Sequence, residues 1–222
     1  MVSGVIPGGF DFSPESPQLK ALSDSLVKAN EILLYSSLPP PEPESGRYYL
    51  PVAVGFILCH RPSLPLFIRN VLPVLLNTDD DSIRHPRCYS PPRAVWLFAP
   101  DPEDVDSGLV QQIIFALHGV GIKVFWQVGT VQAAREAALE GADVIVAQGA
   151  DAGGHQFKGG AGIVSLVPEV IGMLEEMEGK RMFPAKRGRP VVVAAGGIAD
   201  GNGVAAGMAL GECHCDLNPS FD

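Results

Sequence analysis

Basic residues are scarce in this sequence. Lysine and arginine together number 16, against 25 aspartate and glutamate residues, and the formal net charge at pH 7 is −9. The basic residues are scattered along the chain and form no stripe that could neutralise a row of phosphates. We therefore expect no nucleic-acid partner.

Long hydrophobic runs are absent as well. No uninterrupted apolar stretch approaches the roughly 18 residues that a membrane-spanning helix needs. The N-terminal segment "MVSGVIPGGF" lacks the charged and apolar regions of a signal peptide. The sequence therefore predicts a cytoplasmic protein with no membrane partner.

Cysteine is the third scarce residue type, with 4 among 222 residues. Cys59 and Cys88 stand alone, whereas Cys213 and Cys215 flank His214 in a spacing too tight for the usual zinc knuckle. We expect reduced thiols and no metal, as is usual inside cells. Metal binding at the Cys-His-Cys triplet is the alternative.

What the sequence does contain is an alternation of apolar, β-rich runs with amphipathic stretches, which is typical of α/β folds. The runs are continuously apolar, as strands of a parallel sheet buried on both faces are. They are Pro51–Ile57, Ala94–Phe98, Lys123–Val128, Asp143–Gln148 and Pro190–Ala195, with "GVIP" at Gly4–Pro7 as a further short candidate. The 46% hydrophobic content fits a single folded domain over residues 1–222.

Helix candidates lie between these runs, at Ser16–Leu34, Ser63–Leu76, Asp106–Gly119, Thr130–Ala142, Ser165–Gly179 and Asn202–Gly211. Thr130 is a suitable N-cap for its helix, and Gly141 is a suitable stop. Residues 38–46, "LPPPEPESG", indicate an extended linker within the domain, because prolines at this density permit neither a helix nor a central strand. A strand-plus-helix unit of about 30 residues fits either an open doubly wound sheet or a β/α barrel.

Two glycine-rich segments follow strands, at the carboxyl edge where function lies in parallel α/β folds. In "AQGADAGGHQ", Gln148 ends a strand, Gly153 and Gly154 allow a ligand to approach the backbone, and His155 follows them. The alternative is a solvated loop, since glycine pairs after strands are often only tight turns.

The second segment begins with Gly196 and Gly197, directly after the run Pro190–Ala195. Backbone N–H groups there, next to a helix N-terminus, would suit the phosphate of a ligand. A tight turn is again the alternative. The string "GNGVAA" also fits the dinucleotide pattern G-x-G-x-x-A, but it does not start directly after a strand, as that fingerprint requires.

Taken together, the strings "VFWQVGTVQAAREAALEGADVIVAQGADAGGHQ" and "VVVAAGGIADGNGVAAGMALG" resemble the nitronate monooxygenase family, flavoproteins formerly called 2-nitropropane dioxygenases. "LPVAVGFILCH" and "AVWLFAPDP" are similar to its fungal branch. The resemblance implies a TIM barrel that holds FMN at its C-terminal face and contains no metal. It also implies a reaction in which a small nitronate or nitroalkane is oxidised with O2 to a carbonyl compound and nitrite.

The resemblance assigns roles to residues by position. His155 would be the catalytic residue beside the flavin, taking a proton from the carbon next to a nitro group or orienting a nitronate anion. The cofactor-binding residues lie at or after strand ends: Gln127, Gln148, Gly153 and Gly154 for the flavin, and Gly196 and Gly197 for its phosphate.

Both ends of the chain depart from the family pattern. The chain begins at what resembles the family's second strand, and the final segment "ECHCDLNPSFD" is neither apolar enough nor long enough for the last strand and its helix. We therefore expect a truncated, incomplete barrel of about six parallel strands, whose open edges favour a homo-oligomer.

Two other functions stay open at this point. A truncated barrel without catalysis would bind only phosphate ligands or partner chains. An FMN-dependent enoyl-thioester reductase would share the same glycine strings, because other FMN barrels contain similar ones.

Overall fold

A computed structural model of the protein describes residues 4–34, 48–59, 62–78, 89–183, 188–211 and 214–216. These residues group into two compact units, Met1–Val124 and Phe125–Asp222. The linker expected at 38–46 lies outside the described residues, as do Cys88 and Cys213. The prediction of one domain over residues 1–222 stays a prediction.

The first unit contains three parallel strands, which neighbour one another in chain order: β1 (Val5–Gly9), β2 (Leu50–Ile57) and β3 (Pro92–Phe98). Ala53 of β2 pairs with Val5 on one side and with Ala94 on the other. Helix α1 (Pro17–Leu34) lies between the first and second strands in the chain. This order of strand, helix and parallel strand is the α/β arrangement that the alternating sequence predicts.

The helix predicted at Ser63–Leu76 is helical but is not one continuous α-helix. A 3₁₀ turn (Leu64–Leu66) leads into a π-helical turn (Phe67–Val71) and then into α2 (Leu72–Leu75). Pro73 explains why the α-helical pattern fails here, since proline has no N–H to donate to the carbonyl four residues earlier.

The helix predicted at Asp106–Gly119 is likewise divided. Helix α3 (Pro102–Asp106) ends where the predicted helix begins, and α4 (Leu109–Gly119) forms its larger part. Gly108 separates them with a φ of 74°, a left-handed conformation that a helix interior excludes.

The core of the first unit contains three aromatic rings. Phe12, Phe56 and Phe67 are almost fully buried, and their centroids lie 5.0 to 5.8 Å apart in edge-to-face arrangements. Aromatic pairs in this geometry stabilise a core beyond the area they bury. The cluster therefore ties the loop after β1 to β2 and to the π-helical turn.

Four further strands are parallel and again neighbour one another in chain order: β4 (Lys123–Val128), β5 (Val144–Gln148), β6 (Val191–Ala195) and β7 (His214–Asp216). The second unit contains all of them except the first two residues of β4. Its helices are α5 (Val131–Glu140), α6 (Ile163–Gly179) and α7 (Gly201–Ala209). Because Gln148 pairs with Ala195 at the ends of β5 and β6, the loops that follow these strands begin at the same edge of the sheet.

The α/β fold class and the six predicted parallel strands are confirmed, including the short N-terminal strand. The expectation that no strand follows α7 is wrong, since His214–Asp216 pairs with β6. Strand pairing is made by backbone hydrogen bonds and does not require apolar side chains. The low apolar content of the final segment therefore could not exclude a strand of three residues.

Both caps predicted for α5 are present. The Thr130 side chain accepts a hydrogen bond from the Ala133 N–H at 3.1 Å, and Gly141 ends the helix with a φ of 98°. No helix in the described part of the chain combines the length and apolarity needed to cross a membrane. Among the described residues, no group of three or more His, Cys, Asp or Glu residues could hold a metal. The side chains of His214 and Cys215 lie outside the described part of the chain.

Candidate active site

The loops after β5 and β6 pack directly against each other in the second unit. The Gly149 N–H donates to the Ala195 carbonyl at 2.8 Å. A Cβ on Gly196 would lie 2.7 Å from the Cβ of Ala152 and 2.9 Å from its backbone nitrogen. The structure therefore brings the two glycine-rich segments together, as their places in the sequence predict.

Gln148 is the buried polar residue at the base of this site, with 6% of its surface exposed. Its side-chain Nε2 donates to the carbonyl oxygen of His155 at 2.9 Å. Its Oε1 is buried and accepts no hydrogen bond from the described residues. A buried acceptor without a donor costs about 1–3 kcal/mol, so this atom calls for a donor that the described chain does not provide.

His155 itself is exposed, and it follows a turn around which there is open space. A Cβ on either Gly153 or Gly154 would meet nothing within 4 Å, and Gly154 has a φ of 75°. The turn is therefore accessible to a ligand, and His155 lies directly beside it.

Gly196 and Gly197 both have left-handed backbones, with φ values of 106° and 72°. Their N–H groups donate to no acceptor within the described ranges of the chain. Two such donors side by side can bind an anion. The close approach of Ala152 shows that Gly196 is also required for packing between the loops, whether or not an anion binds.

The N-terminus of α7 is already capped by the protein. The Asp200 side chain accepts from the N–H groups of Asn202 and Gly203, each at 2.9 Å. The bond from Gly203 is the main reason why the pKa of Asp200 is below its ordinary value. Within this segment of the described chain, the unpaired backbone donors are therefore those of Gly196 and Gly197 rather than those that Asp200 caps.

A second carboxylate lies beside these donors. The carboxyl carbon of Asp151 is 4.0 Å from the point that a Cβ on Gly197 would occupy. Asp151 is exposed and also approaches Gly162, the residue before α6. A phosphate held by Gly197 would therefore experience repulsion from a nearby negative charge, partly screened by water.

Gln127 lies on the neighbouring strand. It is half-buried in β4 and pairs with Val146, two residues before Gln148. Paired residues of neighbouring strands face the same side of a sheet, and so do residues two apart along one strand, so Gln127 is on the same side as Gln148. The structure thus places Gln127 farther from the end of its strand than Gln148 is from the end of β5.

Two residues of the loop were missed by the sequence analysis. Gln156 Nε2 donates to the carbonyl of Ala152, which closes the glycine turn. Phe157 covers the end of β4, since a Cβ on Gly129 would lie 2.6 Å from the Cβ of Phe157. Gly129, directly after a strand, was the available signal for this contact.

The family model for nitronate monooxygenase matches residues 105–216, which include β4 to β7 and both glycine segments. A nitronate monooxygenase from Neurospora crassa is 48% identical, and the alignment covers 98% of this chain and 53% of that protein. One from Metarhizium robertsii is 32% identical, over 96% of this chain and 52% of that protein. The chain therefore spans about half the length of these relatives.

Among solved structures, FabK from Thermotoga maritima is similar to this chain with a TM-score of 0.54 and 23% identity. The alignment covers 98% of this chain and 58% of that one. At this level of identity the likeness concerns the fold alone, and it agrees with the predicted TIM-barrel type of α/β fold.

Proposed function

Because the chain belongs to the nitronate monooxygenase family, we propose that it forms the FMN-binding part of an enzyme that oxidises alkyl nitronates and nitroalkanes with O2. The products are a carbonyl compound and nitrite. The observation that carries this proposal is the buried, unpaired Oε1 of Gln148 beside the loop of His155.

The residues of the site fit a flavin. The ring system of a flavin carries N–H, and Gln148 Oε1 is a buried acceptor that needs such a donor. The open space at Gly153 and Gly154 leaves room for a flat ring to approach the backbone. Gly196 and Gly197 offer N–H groups to a phosphate. Gln127 is the further flavin contact in this proposal.

His155 is the proposed catalytic residue. A neutral nitroalkane must lose the proton on the carbon next to its nitro group, and an imidazole accepts such a proton near neutral pH. In its protonated form the same imidazole orients a nitronate anion by charge. FMN supplies the electron transfer and the reaction with oxygen that amino-acid side chains cannot perform.

The other parts of the proposal rest on the family for the substrates and on composition and charge for the location and the excluded partners. The substrates are small molecules, the cytoplasm is the proposed location, and neither nucleic acid nor a membrane is a partner. Pairing of chains through open strand edges stays a prediction.

The first test is an absorption spectrum of the purified chain, followed by titration with FMN. We expect a flavin spectrum, nitronate-dependent O2 consumption and formation of nitrite. A chain that binds no flavin would overturn the proposal in favour of a barrel that binds only phosphate ligands or partner chains. Oxidation of a nicotinamide without turnover of a nitronate would overturn it in favour of a reductase.

A second test addresses His155. His155→Asn should retain FMN, because the backbone that contacts the cofactor is unchanged, but should lose turnover of a neutral nitroalkane by about 10²-fold or more. Lys158→Gln, an exposed substitution in the same loop, is the matched control and should retain turnover. Unchanged nitroalkane turnover in His155→Asn would remove His155 from the catalytic role.

A further inference from the structure

The loop that contains His155 is held by backbone hydrogen bonds at its base but not at its tip. The Ala150 N–H donates to the Ala161 carbonyl at 2.9 Å, and the Ala152 N–H donates to the Gly149 carbonyl at 3.0 Å. Residues 153–156 take part in no backbone-to-backbone hydrogen bond within the described part of the chain. The base of the loop is thus fixed by the backbone, and its tip is not.

Two glutamine side chains hold the tip instead. Gln148 donates from β5 to the carbonyl of His155, and Gln156 donates back to the carbonyl of Ala152. These are the hydrogen bonds that residues 153–156 make within the described part of the chain. They lie on both sides of Gly153 and Gly154, where an added Cβ would meet nothing within 4 Å among the described residues.

Glycine has more backbone freedom than any other residue, and open space beside Gly153 and Gly154 leaves that freedom unrestricted by neighbours within 4 Å of an added Cβ. Catalysis by a base requires the opposite, because a displacement of about 1 Å can cost about 10²-fold in rate. The side-chain amides of Gln148 and Gln156 restrain the backbone of the loop, which the glycines do not. Gln148 is suited to this because it is buried at the rigid end of a strand.

We infer that Gln148 and Gln156 are positioning residues, which together fix the backbone of His155 and so aim its imidazole at the proton that it removes. The inference rests on the proposed function for its catalytic meaning, although the restraint itself exists without a ligand. Gln156 separates this role from cofactor binding, because its amide is engaged with the loop and its role does not depend on the free Oε1 of Gln148.

The restraint is tested first in the flavin-free chain by ¹⁵N NMR relaxation. Order parameters of residues 153–155 should be near the rigid value of about 0.85 in the wild type and below about 0.6 in Gln156→Met, which keeps the length of the side chain and removes its amide. Gln148→Met should give the same loss. Order parameters that are already low in the wild type, or unchanged in both variants, would overturn the inference.

The catalytic meaning is tested in the FMN-loaded chain with two substrates, a neutral nitroalkane and its preformed nitronate. Gln156→Met should lower kcat for the nitroalkane about tenfold, with the nitronate and the affinity for FMN changed less than about twofold. Proton removal depends steeply on the position of the base, whereas orientation of a nitronate by charge depends on it only weakly. A loss of folded protein would lower both activities together. Gln156→Lys, which keeps an N–H donor, should restore most of the nitroalkane rate.

An equal fall in both activities would overturn the positioning role and leave Gln156 as a residue needed only for folding. Failure of the wild-type chain to bind FMN would instead overturn the proposed function, while the relaxation measurement would still decide whether the two amides restrain the loop.

Discussion

The side chain of Ala152 fills the space that a side chain on Gly196 would need, since a Cβ on Gly196 would lie 2.7 Å from the Cβ of Ala152. Two loops that leave neighbouring strands are thereby in contact through the methyl group of Ala152. The contact connects the loop of His155 to the segment of Gly196 and Gly197, which we propose binds a phosphate.

Replacing Gly196 by alanine should destabilise the chain. The new Cβ would clash with Ala152, and the φ of 106° is one that residues with side chains rarely adopt. Overpacking of this kind costs about 1–3 kcal/mol in the free energy of unfolding. Gly153→Ala, which meets nothing within 4 Å, is the matched control and should change stability by less than about 0.5 kcal/mol. Urea unfolding measures the stability of both variants, and equal free energies of unfolding for Gly196→Ala and Gly153→Ala would refute the contact.

Replacing Asp151 by asparagine should tighten the binding of FMN. The Asp151 carboxyl carbon is 4.0 Å from the Cβ point of Gly197, so its charge opposes a phosphate held there. Removing a partly screened repulsion of about 1 kcal/mol corresponds to about a fivefold increase in affinity. Riboflavin, which has the same ring but no phosphate, should bind both forms alike. If Asp151→Asn raises the affinity for riboflavin as much as the affinity for FMN, the phosphate lies elsewhere.

The cap of α7 predicts a specific dependence of stability on acid. The pKa of Asp200 is lowered in the folded chain, chiefly by the hydrogen bond from the Gly203 N–H. A carboxylate with a lowered pKa stabilises the fold above its ordinary pKa of about 3.9 and loses that contribution as the pH falls through the folded value. Asp200→Asn keeps an acceptor but has no charge to lose.

The difference in unfolding free energy between wild type and Asp200→Asn should therefore shrink from pH 7 to pH 3. Denaturant titrations at both pH values would measure it. Asp106→Asn, at an exposed carboxylate that ends α3, controls for the general effect of removing one negative charge. A difference that stays constant over this range would contradict the assignment of Asp200 as a charged cap.

The sequence was informative where structure depends on neighbours along the chain. The apolar runs located the six longer strands, and Thr130 and Gly141 marked the ends of α5 because caps are local chemistry. Pro73 could have predicted the break in its helix by the same logic. His214–Asp216 could not be found this way, because its pairing depends on the backbone of β6 and not on its own residues.

The candidate site was predicted only in part, for a related reason. Glycines after strands indicated its location, and the family resemblance assigned His155. The bond from Gln148 to a carbonyl seven residues later left no pattern, because any residue at position 155 offers the same carbonyl. The contact of Phe157 with Gly129 joins two separate loops, and periodicity within one segment does not report such contacts.

The hydrogen bond from Gln148 to the carbonyl of His155 determines how the site can change. Gln148 bonds to the main-chain carbonyl at position 155, so this restraint does not depend on which side chain the position carries. A carboxylate, a hydroxyl or a thiol could replace histidine there and inherit the same placement without any adjustment of the scaffold. The loop is therefore a suitable starting point for engineering new reactions, since one codon changes the reacting group and leaves its support intact.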